Sequence, residues 1–180
     1  MRTIQAMSAV YLDASLDLVE TVFSEYKDPE EGRIVRALVE EIRRKRFYVP
    51  ELELICVEDG EPVGYAMFSR FHLEGRYENE LLLLTPVAVK TALQRQHISK
   101  DLLERGFELA RAMGYQAMLV EGNPRNYHAR GFVTAAEHGI HPGRTVHLPH
   151  IDCLMVKELV PGALEHIHGV VEYDDYEALT

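Results

Sequence analysis

Apolar residues recur at spacings of three and four over residues 14–26, where Leu16, Val19, Val22, Phe23 and Tyr26 share one side, and this period predicts an amphipathic helix ending near Asp28 and Pro29. Ile34, Leu38 and Ile42, with Arg and Glu on the other face, predict a second helix over 30–46. The period then changes to two. Leu52, Leu54 and Cys56 alternate with Glu51, Glu53 and Val57, and the EDGEP turn at 58–62 joins this run to VGYAMFSRFHL as a β-hairpin. The run LLLLTPVAV at 81–89 is too continuous for a strand with one wet face and predicts a central strand covered on both. Pro86 lies inside it. A proline removes a backbone donor, so such a strand needs a bulge or a break in pairing, and the break leaves backbone groups free to bind something else.

A helix follows with Ile98, Leu102, Leu103, Gly106, Leu109, Ala110 and Met113 on one face, closed by Gly114. YQAMLVEG at 115–122 reads as the next buried strand, 124–130 as a short helix, and CLMVKEL at 153–159 as a further strand. Strand, helix and strand over 81–121 predict a right-handed parallel crossover, whose ligands bind beyond the carboxyl ends of the strands. The chemistry is therefore expected around Val89–Ser99 and Glu121–Tyr127. The 180 residues suit one α/β domain over 1–180, with a C-terminal strand extension at about 153–173.

Composition narrows the class. A formal net charge of −10 argues against a surface that neutralises nucleic-acid phosphates, and suits cationic substrates. The basic run Arg43–Arg46 is flanked by Glu40, Glu41 and Glu51, which reads as a solvated helix end. Cys56 and Cys153 each sit in an apolar run as small hydrophobes, which fits a reducing compartment. No stretch approaches 18 uninterrupted apolar residues, and the N-terminus lacks a basic flank followed by an apolar region, so a cytoplasmic protein without membrane contact is expected. His138, His141, His147 and His150 crowd one loop at spacings able to supply metal ligands, but without a Cys pair they are expected to face solvent, and no metal is expected.

Three segments carry a family resemblance. TPVAVKTALQRQHISKDLLERG at 85–106, GNPRNYHARGF at 122–132 and VKELVPGALEHIHGVVEY at 156–173 together resemble the GNAT acetyltransferase superfamily, and within it the YhbS-like branch of bacterial N-acetyltransferases. The resemblance implies the GNAT fold: a central mixed, mostly antiparallel sheet with a bulged central strand, flanked by helices on both faces. It also implies acetyl-coenzyme A as co-substrate and a small-molecule or peptide amine as acceptor. Family members often pair through C-terminal strands, so a homodimer is among the implied partners.

The implied cofactor site runs along Val87, Ala88 and Val89, where pantetheine amides pair with backbone at Val87 and Val89 and a backbone N–H near Val87 serves the oxyanion. It continues through Gln94, Arg95, Gln96, His97, Ile98, Ser99 and Lys100, which align on the family's diphosphate loop. Both family glycines are replaced there, by His97 and Ser99. Glycine suits such a loop because the backbone must approach the phosphates closely and φ above zero costs other residues about 1–2 kcal/mol. Tyr127 aligns on the tyrosine that protonates the leaving thiolate, and Asn126 replaces a second family tyrosine. Glu80, ahead of the central strand, is the candidate general base, with Glu121 its rival. Two readings follow: an active N-acetyltransferase, or a degenerate GNAT domain that binds acyl-coenzyme A as a sensor or scaffold without turnover.

Overall fold

The computed structural model describes all 180 residues. Seven strands form one sheet: β1 (Arg2–Ala6), β2 (Glu53–Glu58), β3 (Glu61–Arg70), β4 (Leu81–Val89), β5 (Ala117–Glu121), β6 (Val133–Thr134) and β8 (Leu154–Glu158). Their spatial order is β1-β2-β3-β4-β5-β8-β6. Only β4 and β5 pair in parallel; every other pair in this sheet is antiparallel. Two short strands, β7 (Ile140–Pro142) and β9 (Gly169–Val171), pair in parallel apart from it. No helix is long and apolar enough to cross a membrane.

The unbroken apolar run of β4 is explained by its position, since alternate leucines enter two different cores. Leu81 and Leu83 join Val19, Leu38 and Ile42 from helices α1 (Leu12–Tyr26) and α2 (Pro29–Arg43) on one face. Leu82 and Leu84 join Leu102, Phe107 and Ala110 of helix α3 (Ile98–Ala112) on the other. Asp28 caps α2 by accepting from Glu31 N at 2.8 Å, with Pro29 at its first position. Gly106 is where α3 meets the sheet: a Cβ there would stand 2.1 Å from Cζ of Phe68. A short helix α4 (Pro124–His128) follows β5.

Four expectations are corrected, at Glu53, Arg43, Tyr26 and Met113. Glu53, placed by alternation on a wet face, is 0% exposed, because β2 is covered on both sides. Its carboxylate accepts from Arg43 Nη2 at 2.7 Å, Tyr48 Oη at 2.6 Å and Tyr65 Oη at 2.5 Å, so the buried charge is paired and saturated with donors. The same pairing removes Arg43 from the solvated basic run. Tyr26, assigned to the apolar face of α1, is 82% exposed, and Leu18 is buried in its place. Met113 is also exposed, at 42%, while Phe107 takes a core position on α3.

Candidate active site

Thr85 and Pro86 stand opposite Met67 alone, since Val87 pairs with Ala66 and Leu84 with Phe68; this is the bulge that Pro86 demanded. Pairing of β4 with β5 stops at Leu83 and Leu119. Beyond that point β5 continues against β8 through Glu121, so the two parallel strands part company. The bond from Lys90 N to Val63 O, 2.9 Å, sets the alternation along the last stretch of β4. Ala88 bonds toward β3, while Val87 and Val89 turn their N–H and C=O groups away from it into the gap. Gln94 Nε2 donates to the Val89 carbonyl from that side, at 3.4 Å.

The gap widens into a cleft of about 800 Å³. Val87, Val89, Gln94, Arg95, His97, Ile98, Ser99, Asn126 and Tyr127 line it, as does Glu121. Three of the expected cofactor residues do not. Ala88 is buried in the core beneath α1 and α2, Gln96 is turned to Arg2 of β1, and Lys100 lies near Glu104 on the outer side of α3.

The loop at 94–100, which the resemblance implies for a diphosphate, keeps an unusual backbone without the family glycines. His97 is left-handed at φ 64° and ψ 15°, and Arg95 has φ 67°. His97 thus adopts at the first glycine position the conformation that favours glycine; His is among the side chains that tolerate it better. The first intrahelical bond of α3 is Asp101 N to His97 O at 3.0 Å, and no side chain caps the helix. The amides of Ile98, Ser99 and Lys100 therefore precede any internal acceptor, at the positive end of the helix dipole.

Tyr127 packs edge-on against Phe132 with ring centres 5.6 Å apart. Gly122 makes room for it, since a Cβ there would lie 2.6 Å from Cε2 of Tyr127. Burial pushes the Tyr127 phenol up to about 12, and Arg130 opposes it. Asn123 caps α4 by accepting from Arg125 N at 3.0 Å. Lys157 Nζ donates to Arg130 O at 2.9 Å and fixes the end of this segment.

The two carboxylates separate clearly. Glu80 does not reach the cleft. It precedes β4, six residues before Pro86 and roughly 20 Å away along an extended strand. There its carbonyl accepts from Gln116 N, and its carboxylate meets His166 Nε2 at 3.0 Å. Glu121 ends β5 on the cleft wall. The protein packed around it raises its carboxyl above the ordinary carboxylate range, although the residue keeps solvent contact; a hydrogen bond from Tyr173 Oη at 2.9 Å pulls the other way. Sequence spacing gave no sign of Tyr173, which lies 52 residues away. Arg125 and Arg130, also on the cleft wall, and Val22 and Phe23 from α1 were likewise not singled out for the site. The crowded histidines do not converge: no group of three His, Cys, Asp or Glu could hold a metal ion.

A strand pair that parts beside a proline bulge, ahead of a loop and helix, is the arrangement that the resemblance of residues 85–106 implied. The profile of the acetyltransferase (GNAT) family matches residues 16–138. The chain belongs to the GNAT acetyltransferase family. It is 28% identical over 143 residues to the uncharacterized N-acetyltransferase YhbS of Escherichia coli K12, covering 77% of this chain and 80% of that protein. YjhQ of the same organism, also an uncharacterized N-acetyltransferase, is 28% identical over 149 residues, covering 82% of this chain and 80% of that one. Among solved structures, E. coli YhbS in complex with CoA superposes with a TM-score of 0.82 at 24% identity, over 96% of this chain and 89% of that one. A GNAT acetyltransferase from Brucella melitensis in complex with acetyl-CoA gives 0.74 at 22% identity, over 100% and 99%. These likenesses establish the GNAT fold.

Proposed function

We propose that this GNAT chain is an acetyl-CoA-dependent N-acetyltransferase that binds its donor in the β4–β5 cleft and passes the acetyl group to a primary amine. The observation that carries this reading is the pair of backbone positions, Val87 and Val89, that no strand pairs with on the gap side, beside the uncapped start of α3. Amide groups of a pantetheine arm satisfy such positions as a strand would. The amides of Ile98 and Ser99, aided by the Arg95 charge, suit a diphosphate. The CoA and acetyl-CoA complexes of the two superposed proteins support this assignment.

Acetyl-CoA, when bound, supplies the activated thioester. The Val87 N–H donates to the oxygen that becomes negative as the amine attacks. Glu121 takes the proton of the attacking amine, directly or through water, and the protein packed around it suits it to this task by making it a stronger base than an ordinary carboxylate. Tyr127, held near 12, stays neutral across the physiological range. A thiol has a reference pKa near 8.5, so full proton transfer from Tyr127 to a free thiolate runs uphill; its role is to donate a hydrogen bond as charge develops on sulfur. The free thiols Cys56 and Cys153 fit a reducing, cytosolic setting.

The test is a calorimetric titration with acetyl-CoA followed by an assay of thiol release across a panel of amines. Micromolar binding and amine-dependent release are expected. Absence of binding below millimolar concentration would reject the proposal, while binding without release for any amine would favour the sensor reading.

A further inference from the structure

The last eight residues are tied across the molecule by bonds from several elements. Tyr173 N donates to Thr145 Oγ1 at 2.7 Å. Asp175 meets His72 Nε2 at 2.6 Å and its carbonyl accepts from Lys45 Nζ. Tyr176 is 1% exposed and stacks on Phe71, with ring centres 6.4 Å apart and planes 4° apart. The amides of Glu177 and Ala178 each donate to the nearly buried Glu41 carboxylate at 2.8 Å, so a charge on α2 holds the end of the chain. A tail needing only to cover an apolar face would not require this set of directed contacts.

Their common result is the placement of one hydroxyl. Tyr173 is 8% exposed, its ring rests edge-on against Tyr176 at 6.5 Å, and its Oη donates to Glu121 Oε1 at 2.9 Å. We propose that Tyr173 is a positioning residue for the acetyl transfer, and that the tail 173–180 is the clamp that keeps the Glu121 carboxylate aimed into the cleft and ionised. This rests on the reading of Glu121 as the proton acceptor. Tyr173 is suited to the role because burial, and then the Glu121 carboxylate itself, push its phenol well above the usual range, so it remains a donor at every working pH. The other titratable groups around Glu121 are Glu31 of α2, which disfavours its charge, and His147 of the loop before β8, which favours it when protonated; Arg125 and Tyr127 of α4 share the cleft wall.

The experiment compares Tyr173→Phe with wild type, each alone and in a Glu121→Gln background. The phenylalanine keeps the ring in its packing and deletes only the donor. On the acidic side of the pH profile, kcat/KM of Tyr173→Phe is expected to fall about tenfold and to approach wild type as pH rises, the loss expected for one hydrogen bond to a charged acceptor. In the Glu121→Gln background the same substitution is expected to leave the shape of the profile unchanged, and acetyl-CoA affinity by calorimetry is expected to be unaffected in both. Carbon-13 NMR of labelled glutamate supplies a readout independent of turnover: the Glu121 carboxyl is expected to titrate at higher pH in Tyr173→Phe. An unmoved Glu121 titration, or an equal loss at all pH in both backgrounds, would overturn the proposal. Failure of wild type to bind acetyl-CoA would instead overturn the assignment of the cleft, and the NMR titration would still decide whether Tyr173 controls Glu121.

Discussion

The two ends of β4 differ in one respect that decides what each can do. At its start, Leu82 and Leu83 pair on both edges, with β3 and with β5, Leu81 accepts from Phe71 N just past β3, and their side chains fill cores on both faces. At its finish, Val87–Val89 pair only with β3, and the other edge opens on the cleft. Each end has a carboxylate beside it, Glu80 at the closed end and Glu121, from β5, at the open one. A backbone whose hydrogen bonds are complete has nothing left to offer a ligand, whereas a backbone released by a proline bulge does. Within one strand, then, the half that fills the cores is kept apart from the half proposed to bind the cofactor.

The largest expected contrast is in stability. Leu83, 3% exposed, is expected to cost about 2–5 kcal/mol on substitution by Ala, and the partly buried Val87→Ala about 1 kcal/mol or less. Urea denaturation midpoints measure both, and equal losses would erase the distinction between the two ends. Next comes catalysis. Glu121→Gln is expected to lower kcat/KM by about 100-fold or more, and Glu80→Gln by no more than about twofold. The reverse ranking in a steady-state assay would return the base to Glu80.

Glu121 also carries a pH signature. Because its surroundings raise its folded-state pKa, the folded chain holds that proton more tightly than the unfolded one. Its contribution therefore favours folding below the ordinary carboxylate range and is lost as pH rises through the folded value. Glu121→Gln is expected to be more stable than wild type at neutral pH and no different in acid, as thermal unfolding at the two pH values would show. Activity has the opposite sign, rising as the carboxylate ionises. A smaller effect is expected at Tyr127: Phe there should lower kcat about tenfold and leave acetyl-CoA affinity unchanged, with no alkaline limb from Tyr127 below pH about 12 in wild type.

Much of this was legible in the sequence because it follows from short-range constraints. The continuous apolar run at 81–89 required cover on both faces, and Pro86 within it required a bulge; both hold in the structure. Glu53 was misplaced because alternation reports how many faces are wet only when one of them is, and β2 has none. Glu80 was placed ahead of Glu121, since a strand's sequence does not say at which residue its neighbour leaves it, and only Glu121 lines the cleft. Tyr173 was out of reach for a different reason: its partner is 52 residues away, and the intervening fold brings them together.

The smallest expected effect concerns the loop that lost its glycines. His97→Gly relieves left-handed strain but adds freedom to the unfolded chain, so its stability is expected to stay within about 1 kcal/mol of wild type, whereas the β-branched His97→Val is expected to cost about 1–2 kcal/mol. Thermal denaturation of the two variants checks this, and equal stability would mean that the left-handed turn is not held in solution.

The most direct measurement is amide hydrogen exchange, residue by residue, with and without acetyl-CoA. Val87 and Val89 are expected to gain protection on addition of acetyl-CoA, while Leu81–Leu83, already paired with β5, change little. Binding that leaves Val87 and Val89 unprotected, or that protects the closed end of β4 instead, would contradict the assignment of the cleft.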